Sequence, residues 1–423
     1  MSDIDGMEEE KCLIRSPRVL DLTNKNGYLC GRILADLGAD VIKVEKPGGD
    51  PDRGIGPFYQ STPNRDRSLL WFAYNANKRG ITLKIDSDEG KQILKDLAGK
   101  AEFIIESYPP GYMDELGLGY SHLRDINPRI TYTSITPFGQ TGPYRDFKAS
   151  DLVVMAMSGL LYMTGRPGEA PLRISFPQSF LLAAAHAAAA SMIAYFHRET
   201  TGRGQHVDVS ARECVLWEIS NAIPSWKLNQ KILKRAGSYM SGRWADIKQK
   251  LLWKCKDGYV VFYILSGGFG EKTNRGIVAW LQEEGLASEL LTNVDWADFD
   301  MSKQTQEIQN QMEAPIAELF SRHTKAELYN EALKRKIMLS PVSTARDICE
   351  NAQLHARNFW VEVDHPEIPA GITYPGPFAR LSESPLASAR RAPLPGEHNQ
   401  EVYEKELAFS KRDLRLLHQS GII

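Results

Sequence analysis

Glycine, proline and short polar side chains, which let backbone amides and hydroxyls approach a ligand, concentrate in the loops at residues 23–27, 46–53, 107–111 and 136–143. Each follows a run that reads as a strand, and open α/β sheets bind their ligands at the carboxyl ends of strands. The chemistry these loops serve is not the common phosphate-cradling kind. The chain has neither GxGxxG nor GxxxxGK[ST], and the glycines of Pro47-Gly48-Gly49-Asp50 read as turn residues. Another glycine cluster, Ser266-Gly267-Gly268-Phe269-Gly270, reads equally well as a mobile lid or an ordinary turn. Cys12, Cys30, Cys214, Cys255 and Cys349 are odd in number, widely spaced and without a CxxC pair, so neither a disulfide scaffold nor a zinc site is expected.

The elements that must hold these loops are legible from periodicity. Residues 18–22 form a strand, 27–37 carry helical spacing (Leu29, Ile33, Leu34, Leu37), Gly38 fits a C-cap, and Val41, Ile42 and Val44 mark a second strand at 40–45. Strand, helix and strand joined this tightly imply a parallel pair with a right-handed crossover. The pattern recurs with strands at 81–84, 102–106 and 130–134, a helix at 88–98, and a further strand at 206–210. An α/β fold on an open parallel sheet follows. The alanine-dominated run 180–196 reads as a tightly packed helix, with His186 a core histidine, rather than as a membrane span. A strand is expected at 259–265, and the proline- and glycine-rich segment 371–400 reads as an extended strap.

Composition narrows the function classes. With 51 Lys plus Arg against 53 Asp plus Glu, the net charge is −2, which argues against a dedicated nucleic-acid or membrane-surface binder. The acidic segment 1–11 is the opposite of a signal peptide, and a cytoplasmic protein is expected.

Eight segments carry a resemblance: Leu34-Ala35-Asp36-Leu37-Gly38-Ala39-Asp40-Val41-Ile42-Lys43-Val44-Glu45, Asn77-Lys78-Arg79, Leu116-Gly117-Leu118-Gly119-Tyr120, Asn127-Pro128-Arg129, Phe138-Gly139-Gln140-Thr141-Gly142-Pro143, Thr201-Gly202-Arg203-Gly204-Gln205, Tyr374-Pro375-Gly376-Pro377 and Gly396-Glu397-His398-Asn399. In this order the chain resembles the class III CoA-transferase family, which also contains the α-methylacyl-CoA racemases. The resemblance implies an open parallel-sheet large domain built from both chain ends, at residues 1–224 and 331–423. It also implies a smaller central α+β domain at 225–330 and two subunits interlocked like linked rings. A CoA thioester is the implied substrate, with no covalently bound cofactor and no metal.

In that family an aspartate at the start of the helix leading to Thr-Gly-Arg-Gly-Gln attacks the acyl-CoA thioester. Thiolate leaves, and the mixed anhydride lets CoA pass to an acceptor acid. The nucleophile must itself become an activated acyl group, which is why a carboxylate is needed. Counting back from Thr201 puts this position at Phe180, or at Ser179 or Gln178 with a small gap, and no Asp or Glu occurs between Ala170 and Arg198. A second departure is Glu115, which stands where family members usually carry a CoA-phosphate arginine; a carboxylate beside a polyanion has the wrong sign. Lys25, Lys46, Lys78, Arg79, Ser107 and Tyr108 remain to meet CoA.

The racemase branch needs a histidine where Ser150 stands, and Asp151 reads as a helix N-cap. The expectation is therefore a non-catalytic subunit of a hetero-oligomeric class III CoA-transferase, with the aspartate supplied by a homologous catalytic partner. The alternatives are an active acyl-CoA enzyme using a displaced carboxylate (Glu169, Asp151 or Glu213) and a non-catalytic homodimeric binding protein.

Overall fold

The computed structural model describes residues 16–240, 247–366, 368, 371–383 and 389–423; Cys12 and the acidic segment 1–11 lie outside them. The strands Arg18–Leu22 (β1), Asp40–Glu45 (β2), Arg79–Thr82 (β3), Phe103–Glu106 (β4), Thr131–Thr136 (β5) and His206–Ser210 (β6) form one sheet in the order β3-β2-β1-β4-β5-β6. Every neighbouring pair is parallel. The order reverses between β1 and β4, which makes a crevice between the loops that follow those two strands. β1, β3, β4 and β5 are buried on both faces, which in β4 shows as the apolar run Phe103–Ile105, while β5 buries the hydroxyl side chains Thr131, Thr133, Ser134 and Thr136.

The helix Tyr28–Asp36 ends on Leu37 and Gly38, whose φ of 99° only glycine adopts without strain. It packs against the long helix Ser179–Thr201, which also lies along β5 and β6. That long helix has the length and apolarity to cross a membrane. Its small residues Ala183, Ala184, Ala187, Ala188, Ser191 and Ala194 are buried, and the Ser191 hydroxyl meets Thr133 Oγ1 of β5 at 2.7 Å. Alanine lets the backbone approach the sheet closely, so the run is a packing device here. His186 is half-buried, its Nδ1 2.8 Å from Leu182 O one turn back.

Three expectations are corrected. The strand expected at 81–84 begins two residues earlier, because Arg79 pairs with Ile42 in register and its guanidinium is held by Asp40, Glu401 and Glu406. The glycine cluster at 266–270 is neither lid nor turn. It opens the helix Gly267–Glu283, and a side chain at Gly270 would fall 2.2 Å from Leu265 Cβ. Within 371–400, the described residues at 372–375 and at Pro393 are packed rather than merely extended. Ile372–Pro375 (β11) pairs antiparallel with Trp360–Val363 (β10), and Pro393 O accepts hydrogen bonds from the Arg53 guanidinium and the Trp71 indole.

The chain divides into two compact units, one made of Met1–Ser158, Ser175–Glu218 and Gln353–Ile423, the other of Gly159–Ile174 and Ile219–Ala352. The first carries the six-stranded sheet. The second carries a three-stranded antiparallel sheet, Leu252–Cys255 (β7), Gly258–Val261 (β8) and Ser340–Pro341 (β9). Trp253, Val260 and Phe262 turn inward there onto the helices Gly267–Glu283 and Gln306–Arg322. Among the described residues, Cys30, Cys214 and Cys255 are buried free thiols and no cluster of three metal-ligating side chains occurs.

Candidate active site

At the reversal of strand order the loop after β1 is fixed from below by buried charge. Asp21 and Lys78 are fully buried and meet at 2.7 Å, with the Lys43 ammonium 3.7 Å from the same carboxylate. Burial pushes the Asp21 carboxyl up, but Lys78 and Lys43 outweigh it and hold it below the usual carboxylate range. Burial pulls the Lys78 ammonium down to about 8 against the opposing attraction of Asp21. The free work of Asp21 is to take the Thr23 backbone N–H at 2.9 Å and the Thr23 hydroxyl at 2.6 Å, while Lys43 donates to Thr23 O. The loop then reaches across the crevice, where Asn24 N donates to Ser107 Oγ at 2.8 Å. The loop after β2 is set in the same way: Arg53 grips Glu45 with two bonds of 2.7 Å and stacks 3.8 Å from the Trp71 ring.

Between these loops lies a cavity of about 420 Å³ lined by Thr23, Asn24, Lys25, Lys46, Ser107 and Tyr108, and also by the carboxylates Glu45, Asp50 and Asp52. Four of the six expected CoA-contacting residues thus come together: Lys25, Lys46, Ser107 and Tyr108. Lys78 and Arg79 do not. Lys78 spends its ammonium on Asp21, Tyr28 O and Asn75 Oδ1 with no face left for a phosphate, and Arg79 is committed to three carboxylates. Glu115 is an exposed residue at the end of the short helix Tyr112–Glu115.

The start of the long helix holds no carboxylate of its own. Ser179 is fully buried, Phe180 is 7 % exposed, and Gln178 occupies the N-cap position without capping the helix, its side-chain amide donating instead to Phe176 O at 3.2 Å. A carboxylate nevertheless reaches this spot from elsewhere. Asp151 Oδ1 accepts the backbone N–H groups of Gln178 and Ser179 and the Ser179 hydroxyl, all at 2.8 Å. Asp151 is therefore a cap, though of this helix and not of its own; Ser150 caps the helix Asp151–Met157 without a side-chain bond. Sequence periodicity misses this because the partners lie 27 and 28 residues away. Glu213 is exposed on the helix Ala211–Glu218, and Glu169, in the second unit, is exposed 3.7 Å from Arg166.

A second cavity of about 420 Å³ went unforeseen. It lies along the sheet from Glu106 at the end of β4 across Tyr132 and Ser134 of β5 to His206 at the start of β6, with Tyr120 also in its wall. Burial pushes the Glu106 carboxyl up to about 7, against the Ser134 hydroxyl and the Tyr108 N–H that it accepts. Ser134 Oγ in turn lies 3.0 Å from His206 Nε2. The available signal was a glutamate ending the apolar strand Phe103–Glu106.

Residues 15–399 match the family described as CoA-transferase family III. The chain is 36% identical over 387 residues to the succinyl-CoA:(R)-benzylsuccinate CoA-transferase subunit BbsE of Thauera aromatica, covering 91% of this chain and 92% of that one. It is 33% identical to the formyl-CoA:oxalate CoA-transferase of Streptomyces avermitilis, covering 96% and 98% of the two chains. A crystal structure of a CAIB/BAIF family protein from Brucella suis superposes with a TM-score of 0.77 at 28% identity, covering 92% of this chain and 98% of that one. The doubly covered parallel sheet, the crevice at its strand reversal and these full-length matches agree, and the chain belongs to CoA-transferase family III.

Proposed function

We propose that this chain is the non-catalytic subunit of a hetero-oligomeric CoA-transferase that moves CoA from an acyl-CoA such as succinyl-CoA to a carboxylic acid such as benzylsuccinate. A homologous subunit supplies the nucleophilic aspartate. The observation that carries this reading is the start of the long helix, where Gln178, Ser179 and Phe180 stand and the one nearby carboxylate is occupied as a cap. An acyl anhydride on Asp151 Oδ1 would cost the helix that cap, and one on Oδ2 would weaken it by turning Oδ1 from a charged carboxylate oxygen into a neutral carbonyl. The similarity to a transferase subunit supports the same reading.

The test is affinity purification of the tagged chain from its native host, followed by intact mass spectrometry and a transferase assay. A stoichiometric homologue bearing the aspartate, with no turnover by this chain alone, is the expected result. Recovery of an inactive homo-oligomer would overturn the subunit reading in favour of a binding protein. Phe180→Asp is expected to leave the isolated chain inactive, since Glu115 still opposes CoA's phosphates.

One observation favours a second reading, an active enzyme using Asp151. Among the described residues all three bonds fall on Oδ1, so Oδ2 lies outside the cap. Hydroxylamine trapping separates the two: a hydroxamate at Asp151 after incubation with succinyl-CoA would establish the second reading, and an unmodified peptide the first.

A further inference from the structure

The second unit holds a cavity of about 990 Å³ that the reading above leaves unused. It opens between the 163–172 excursion, the 233–239 segment and the outer face of β7 and β8, and its size suits a small organic ligand. Its cations are Arg166, Lys234, Lys250 and Lys254, and among the described residues no carboxylate lines it.

The bland explanation is a solvated sheet face, and the residues there speak against it. Trp253 and Cys255 of β7 turn into the core, so Leu252 and Lys254 turn outward. A solvated face of an antiparallel sheet is polar. This one presents Leu252, Tyr259 and Val342, which are 38 %, 53 % and 41 % exposed, flanked by ammonium groups. The walls are also tied in place. The Arg235 guanidinium donates to Glu169 O at 2.6 Å and 3.0 Å and to Tyr162 O at 3.0 Å, anchoring the excursion to the 233–239 segment. Tyr239 bridges to Lys250, joining that segment to the strand side. The Lys250 ammonium stands 4.7 Å over the Trp253 ring, and Arg166 has only a 3.7 Å contact with Glu169, both side chains more than half exposed. Glu169 and Glu313 offset part of the charge of Arg166 and Lys250 from outside the cavity, but among the described residues no carboxylate lines it, so an anion that enters meets a wall of net positive charge.

We infer that this cavity binds an amphipathic organic anion, with its carboxylate or phosphate group at Lys250, Lys254 and Arg166 and its apolar body on Leu252 and Tyr259. The same chemistry belongs to the phosphorylated nucleotide of a CoA thioester and to a free aromatic acid. The site needs no catalytic aspartate, so its failure would leave the subunit reading untouched.

The experiment is isothermal titration of the full chain with adenosine 3′,5′-bisphosphate and, separately, with benzylsuccinate, at low and high salt. At least one probe is expected to bind saturably, and the identity of that probe selects nucleotide or acid. The Lys250→Gln/Lys254→Gln double variant is expected to weaken it by about tenfold or more at low salt, with the gap closing at high salt. Lys254→Arg, which keeps the charge, is expected to stay within about threefold of the parent. Unchanged affinity in the double variant, or saturable binding of neither probe, would overturn the inference. Lys254 is exposed and Lys250 half-buried, so a circular dichroism spectrum and a melting temperature matching the parent confirm that a lost affinity is local.

Discussion

Charge is handled in opposite ways at the crevice between β1 and β4 and at the start of the long helix. Beneath the crevice, Asp21, Lys43 and Lys78 are withdrawn completely from water; Asp21 and Lys43 bond the Thr23 backbone and hydroxyl, and Lys78 holds the Asp21 carboxylate. At the helix start Asp151 makes no ion pair among the described residues; backbone N–H groups and one hydroxyl satisfy its Oδ1 instead. The first arrangement shapes a loop for a ligand and is costly to break. The second terminates a helix and is cheap. A chain relieved of catalysis but not of folding would keep the first and let the second turn from chemistry to capping.

The sharpest way to break this contrast is Lys78→Met. It leaves Asp21 buried with only Lys43, 3.7 Å away, and is expected to cost about 3–5 kcal/mol in chemical denaturation. Adding Asp21→Asn is expected to deepen that loss, because it strands the buried Lys43 ammonium, which pairs with Asp21. A single-variant cost under about 1 kcal/mol would show that the network does not hold the loop.

Glu106 tests whether buried charge elsewhere in the same sheet behaves differently when it has no cation. Its carboxyl titrates near 7 in the folded chain against 4.5 when free, so between those values the folded state holds the extra proton. Its contribution to stability is full below about pH 4.5 and is lost as pH rises through about 7. Glu106→Gln should flatten that slope, by up to about 3 kcal/mol across the window, and thermal melts from pH 5 to pH 8 read it directly. An unchanged slope would mean that Glu106 is already ionised in the fold.

Asp151→Ala probes the cheap side of the contrast. Loss of a cap made of three bonds is expected to cost about 1–2 kcal/mol, with Asp151→Asn recovering part of it. A cost near that of Lys78→Met would mean that the helix start is as tightly built as the crevice.

What the sequence reveals divides along the same line. Val41, Ile42 and Val44, the helix before them and Gly38 are local signals, and the strand-helix-strand unit they announce is present, as are the loops that meet at Lys25, Lys46, Ser107 and Tyr108. Long-range satisfaction of charge has no such signature. Nothing near Lys78 says that Asp21, 57 residues away, will consume its ammonium, and nothing near Asp151 says which helix it caps. Gly267 and Gly268 mislead for a third reason: glycine lowers helix propensity, yet the close approach to Leu265 at Gly270 forbids a larger residue and the helix starts there regardless.

The smallest effect belongs to the exposed cations of the crevice. Lys25 is 53% exposed and stands 4.0 Å from Asp52, so its ion pair contributes little to folding and its ammonium is available to an incoming phosphate. Lys25→Gln should leave stability within about 0.5 kcal/mol and weaken CoA binding about threefold at low salt; the Lys25→Gln/Lys46→Gln pair should reach about tenfold. Both changes should fade as salt rises, because exposed charges are screened beyond about 10 Å at 0.1 M. If the double variant binds CoA as the parent does at low salt, the crevice has kept its architecture and lost its ligand. The erosion seen at the helix start would then extend to both halves of the site.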